Sequence, residues 1–410
     1  MKAVIIGAGL GGLLTGAKLA GAGYSVEIFE KLPFTGGRFT NLPYKGFKLS
    51  TGALHMIPHG SRGPLAQMLR EMGANVNIID SEPMAVIRKE NGEIIPFHDF
   101  RNELPLTKQA KLVTVLAYSL KFRPTDDITF RGWILKYFDD DFLLKLADSF
   151  CGWSLSLQAQ DVPAREMLEI INNMYRYKGS GVPAGGCSAV TGALYEIIES
   201  KGGKIYTHSC VEKIIVNNDI AQGVIVKGNQ IDADIVISDI GHIGTSSLYD
   251  CTDKEYLDKI QNLKPSRGIK ICLSSDEPLI GHSGVYFTPY AKRVNGINEV
   301  TNADPSLAPP GKHLIMAHQA MISDDARKEI DLGLLDIAQL FPYKKYEVLL
   351  IQSYSDGWPV NRASSGSDTG NATPIKNLYI VGDGAKGHGG IEVEGVALGV
   401  GNLMKEIGIY

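Results

Sequence analysis

Two glycine-rich runs stand near opposite ends of the 410-residue chain, each at the end of an apolar strand. The first reads Gly7-x-Gly9-x-x-Gly12, preceded by Lys2-Ala-Val-Ile-Ile6 and followed by Leu13, Leu14, Ala17 and Leu19 at helical spacing. Such glycines let backbone amides approach a phosphate, and the helix behind them offers unpaired N–H groups and the positive end of its dipole. The chemistry predicted is binding of a dinucleotide by Gly7, Gly9, Leu10, Gly11 and Gly12. Glu30 ends the next strand at the spacing where a carboxylate accepts hydrogen bonds from a ribose diol. Lys31 follows it, then Gly36, Gly37 and Arg38, whose guanidinium is permanently charged and can bond two pyrophosphate oxygens. At the other end Leu378-Tyr-Ile-Val381 runs into Gly382-Asp383-Gly384, and a second glycine run spans Gly387 to Gly390. Asp383 reads as a cofactor-binding acid, a role compatible with capping a helix.

Two other residues could carry chemistry. Lys270 lies on an alternating segment in which Ile269, Ile271 and Leu273 share one face and Lys270, Cys272 and Ser274 the other. That polar face could line a cavity, with a solvated lysine as the ordinary alternative. His55, just beyond Gly52, could contact substrate or move a proton, and a structural histidine bonded to backbone is an equal reading. Trp358, beside Pro359, could wall a ligand or simply pack.

The elements that must position these groups form more than one core, because 410 residues exceed what a single ordinary core holds. Apolar residues make up 44% and charged residues 21%, as in a globular protein. With 41 basic and 45 acidic residues there is no global field to attract nucleic acid or anionic lipid. The five cysteines are odd in number, widely spaced and lack a CxxC pair, which predicts reduced thiols and no metal site. The first strand starts at Lys2 and no run of 18 apolar residues occurs, so a cytoplasmic protein is expected, one that could still rest on a membrane.

The layout is discontinuous. Segments 1–80, 180–265 and 356–410 read as the nucleotide domain, and 81–179 with 266–355 as a substrate domain. Residues 85–97 predict a hairpin around Asn91-Gly92, residues 44–55 a strand and a glycine turn, and 105–177 a helical stretch. That helical region holds most of the 13 aromatics, out of 33, that fall between Phe97 and Tyr177; this crowding could line an apolar pocket, though a helical core explains it as well. Within it, Lys108, Lys111, Lys121 and Arg123 sit beside Leu, Val and Tyr on a segment that could lie on lipid.

Together these segments resemble the flavin-dependent amine oxidase superfamily, and within it the phytoene desaturase and carotenoid isomerase branch. The resemblance is strongest at both ends and continues through Pro183 to Leu194, Val211 to Ile214 and Ala233 to Ser238. It implies an α/β fold, a glutathione-reductase-type Rossmann-like FAD domain with a discontinuous α+β substrate domain. It also implies FAD on Gly7, Gly9, Gly12, Glu30 and Arg38, adenine against Val211, and Gly390, Ile391, Glu392 and Val393 along the isoalloxazine. Lys270 matches the strand lysine that amine oxidases hold near flavin N5. Gly390 to Gly395 contains no aromatic, unlike the amine-binding cage of those oxidases, and no cysteine follows Cys272 to form the usual thioether. The resemblance therefore implies non-covalent FAD and hydride transfer with a large apolar, isoprenoid-like small molecule. Rival implications are an amine or amino-acid oxidase, and a prenyl-lipid escort protein that shares the fold without redox work.

Overall fold

A computed structural model describes residues 1–263, 265–354, 362–363 and 369–409; Trp358 lies outside the described residues. A five-stranded parallel sheet runs in the order Leu378–Ile380, Ile235–Ser238, Lys2–Ile6, Ser25–Phe29, Lys204–Tyr206. Three separate stretches of chain thus meet in one sheet. Alternation decides what each face covers. Ala3, Ile5, Ile28 and Ile237 pack under the helices Leu10–Gly21, Cys187–Ser200 and Glu392–Glu406. Val4, Ile6 and Val236 face a three-stranded meander of Val211–Asn217, Ile220–Val226 and Asn229–Asp232. Ile5 and Leu13 expose nothing, so truncating either to alanine would cost about 2–5 kcal/mol.

The second sheet has seven strands in the order Glu347–Tyr354, Gly268–Ser275, His313–Ala320, Gly296–Glu299, Val285–Phe287, Ala85–Arg88, Ile94–Pro96. Only the pairing of Ala85–Arg88 with Val285–Phe287 is parallel. Ala85–Arg88 and Ile94–Pro96 form the hairpin expected around Asn91-Gly92. One face of this sheet buries Ile269, Ile271 and Leu273 with Ile337 of the helix Ala326–Leu340. The other meets the helices Leu106–Lys121, Phe130–Tyr137, Asp141–Leu155 and Ala164–Tyr177. Two of these begin at side-chain caps, with Thr129 accepting from Gly132 N at 3.0 Å and Asp140 from Leu143 N at 3.2 Å.

Of the two readings of the aromatic crowding the core holds: Phe97 lies 5.3–6.3 Å from the rings of Phe100, Phe150 and Phe287, and the indole N–H of Trp133 donates to Ser119. Residues 44–55 do not start as a strand, because Tyr44 ends Asn41–Tyr44, which pairs antiparallel with Phe47–Ser50. Lys45 and Gly46 take φ of 49° and 83°, the left-handed pair of a tight hairpin turn. Among the described residues, no helix is long and apolar enough to cross a membrane.

Candidate cofactor site

The C-terminal ends of the parallel strands open on a cavity of about 580 Å³, within the usual ~300–1,000 Å³ of small-molecule clefts. Gly7 has φ of 94° where the first strand turns into its helix, and a methyl on Gly12 would sit 2.2 Å from the Gly7 carbonyl oxygen. Gly11 serves a longer connection: its Cβ would fall 2.6 Å from Gly382 N, so the two glycine runs, 370 residues apart, touch. Only glycine permits that approach. Arg38 reaches across to form an ion pair with Asp383, closing the N-terminal loop onto the C-terminal turn. Asp383 therefore does not cap the last helix, whose preceding residue is Ile391.

Glu30 accepts from Ala8 N and Leu32 N, both at 2.8 Å, which fixes its carboxylate at the strand end. Gly7, Gly9, Leu10, Gly11, Glu30, Lys31, Gly36, Gly37 and Arg38 all line the cavity. Val211, Gly382, Asp383, Glu392 and Val393 do so from later in the chain. Gly12 stands behind the wall and presents its N–H, while Gly390 packs on Gly395, where a Cβ would come within 2.3 Å of its Cα. Ile391 is buried in the core that the second sheet forms with its four helices. A permissive glycine turn, an acid at the end of the second strand, an arginine and a cavity of this size together fit a flavin dinucleotide.

The sequence from residue 10 to residue 399 matches the flavin containing amine oxidoreductase family. The chain belongs to that family. A flavin amine oxidoreductase of this kind is an FAD-dependent oxidoreductase, and the parallel sheet is its Rossmann-like FAD domain. The chain is 47% identical to an uncharacterized protein of Methanocaldococcus jannaschii over 407 residues, 99% of each. It is similar to the crystal structure of an oxidoreductase from Methanosarcina mazei, with a TM-score of 0.95 at 52% identity over 99% of this chain and 100% of that one. More distantly it is 25% identical to a diapophytoene desaturase of a Methylomonas species, covering 79% of this chain and 74% of that enzyme.

Within this family frame the two candidate catalytic side chains stand behind the cavity wall. Lys270 has no exposed surface, so the solvated reading is wrong. Its strand is covered on both faces, and alternation between solvent and core does not apply. Lys270 Nζ donates to Ser50 O at 2.5 Å, Gly52 O at 2.8 Å and Ser50 Oγ at 3.1 Å. Burial lowers its pKa, against the nearby Cys272 and Cys187 sulfurs. Gly52 in turn presses on Arg38, where a Cβ would meet the Arg38 carbonyl oxygen at 2.1 Å. The Ser50-Thr51-Gly52 turn is thus a strut between Lys270 and Arg38.

His55 is also wholly buried, and its neighbours Leu54 and Met56 line the cavity in its stead. Its Nε2 lies 2.5 Å from Asn41 Nδ2, and burial, helped by the Lys270 charge, lowers its pKa to about 3. A ring this hard to protonate is neutral throughout the physiological range.

Asp239 was not singled out from the sequence. It follows the strand Ile235–Ser238, lines the cavity, and accepts from Gly12 N at 3.0 Å. Ile240 to Gly244, Ser156 and Tyr354 also line it. The available signal was an apolar strand ending in Ser-Asp-Ile-Gly, a third strand terminus of the same kind as those at Gly7 and Gly382.

Proposed function

We propose that the protein holds FAD non-covalently and transfers hydride between the flavin and a large, apolar, isoprenoid-like small molecule. Bound flavin supplies the hydride-accepting or hydride-donating ring. The residues supply placement: Gly7 to Gly12 and Arg38 toward the diphosphate, Glu30 toward the ribose, and the start of the helix Glu392–Glu406 toward the ring, where its dipole favours negative charge. Cys210 is the cysteine that lines the cavity; by the family resemblance it lies at the adenine end beside Val211, away from the ring, in keeping with non-covalent binding.

The observation that carries the substrate reading is the apolar part of the cavity wall, which includes Ala53, Leu54, Met56, Val393 and Val396. Such a surface gains by excluding water from an apolar chain and offers little to a cation. The desaturase relative is in keeping with that wall. An amine substrate is the second reading, favoured by the Glu392 carboxylate in the same cavity. Lys270 acts in either case as a positioning residue, through Ser50 and Gly52. Leu106, Val113, Tyr118 and Phe122 are exposed in and just after one helix that also carries Lys111 and Lys121, which supports a peripheral contact with lipid.

The test is anaerobic bleaching of the flavin absorbance by a linear polyprenoid carried in liposomes. Bleaching, with the protein retained on the liposomes at low salt, supports the reading. Bleaching by an amine panel alone would replace it with the oxidase.

A further inference from the structure

The cradle formed by the three strand ends contains a carboxylate where a diphosphate must come. A Cβ on Gly382 would clash with an Asp239 carboxylate oxygen, and on Gly9 or Gly11 it would lie 2.4 or 2.6 Å from one. These glycines, bare so that an anion can approach, enclose an acid in this structure. Glu30 faces Asp239 from the second strand and Arg38 from the following loop, and Asp383 lines the same cavity from the C-terminal turn. Arg38 is paired with Asp383, so Asp239 shares its positive charge and, among the described residues, is bonded directly only by the amides of Gly9 and Gly12.

A diphosphate brings two permanent negative charges into this low-dielectric cleft. An ionised Asp239 beside it would repel it and compete for the Gly12 amide, whereas the neutral acid can donate a hydrogen bond to an anion. We propose that Asp239 is a cofactor-binding residue in its neutral acid form, so that FAD binding is coupled to the uptake of one proton from solvent by its carboxylate. This rests on the reading of the cleft as an FAD site. Burial, reinforced by Glu30 and opposed by the Gly12 and Gly9 amides and Arg38, already raises the free protein's Asp239 to about 7. The proton is therefore taken up within the range where the protein can be studied.

The experiment is titration of the full-length apoprotein with FAD from pH 6 to 9, read by quenching of flavin fluorescence, with calorimetry at pH 8 in two buffers of different ionisation enthalpy. Neither the diphosphate nor the ring systems of FAD titrate across that range except the ring imide at its alkaline edge. The dissociation constant should stay level up to about pH 7 and then rise about tenfold per pH unit, and calorimetry should register uptake of about one proton. Asp239→Asn should bind FAD with a flat profile, which assigns the pH dependence to Asp239 among the groups lining the cavity. A level wild-type profile with no proton uptake would overturn the proposal while leaving the FAD site intact. Absence of FAD binding at every pH would instead overturn the FAD site. If the asparagine variant does not fold, the wild-type proton count decides alone.

Discussion

His55 offers a direct test of whether the loop beside the cavity is chemistry or scaffold. Folded, its imidazole titrates near 3 because burial and the Lys270 charge disfavour the cation; unfolded, it should titrate near the ordinary 6.5. Below pH 6.5 the unfolded chain binds a proton that the folded protein refuses, so stability is fully present above 6.5 and is lost as pH falls toward 3. The slope is about 1.4 kcal/mol per pH unit, which amounts to about 2 kcal/mol at pH 5. Asp239 and Glu394 pull the other way, since burial raises each to about 7 and the folded protein gains protons below that pH. The wild-type profile is therefore a sum of opposing contributions. Only a double difference isolates the histidine. His55→Gln keeps an acceptor for Asn41 and removes the titration. Urea unfolding of both proteins at pH 7.5 and 5, followed by tryptophan fluorescence, should show the wild type losing about 2 kcal/mol more than the variant. Parallel losses would mean that the ring is protonated in the folded state. That would restore His55 as a proton-transfer group and refute its placement in the scaffold.

Two further outcomes follow from the same geometry. Glu30→Ala should raise the FAD dissociation constant about 10- to 100-fold, the equivalent of one charge-assisted hydrogen bond of about 1.5–3 kcal/mol; an unchanged constant in a fluorescence titration would remove Glu30 from the ribose site. Lys270→Met leaves the Ser50 and Gly52 carbonyls without their donor and should lower unfolding free energy by about 2–4 kcal/mol while weakening FAD through Arg38. Unaltered stability and FAD affinity would show that the strut bears no strain from the loop.

What could be read from the sequence depended on how local the constraint was. Gly7 to Gly12 and Gly382 to Gly384 were legible because a strand that stops at glycines is restricted by its own backbone, whatever surrounds it. The Asn91-Gly92 hairpin was legible for the same reason. Asp239 was not, since its meaning comes from Gly12, 227 residues earlier, which only the parallel pairing of Lys2–Ile6 with Ile235–Ser238 brings to it. Lys270 misled because period-two alternation assumes one wet face, and Gly268–Ser275 has none. Lys45-Gly46 was passed over as part of a strand because Tyr44 and Phe47 flank it with good strand formers.

The cavity is lined by residues from 7–11, 38, 239 and 382–383, so no single stretch of chain forms it before the parallel sheet has closed. Cofactor binding must therefore select the fully folded state, adding stability that grows with the logarithm of its concentration over its dissociation constant, about 2.7 kcal/mol at a hundredfold excess. The strut from Lys270 through Ser50 and Gly52 to Arg38 carries that dependence into the second sheet. Glu166 extends it to the helical side: its carboxylate accepts from Gly389 N at 3.0 Å, across 223 residues, and holds the loop ahead of the last helix. The second sheet and its helices are thus built onto the same residues that shape the cavity, which is how a discontinuous chain can hold the two sheets at a fixed distance without a rigid linker between them.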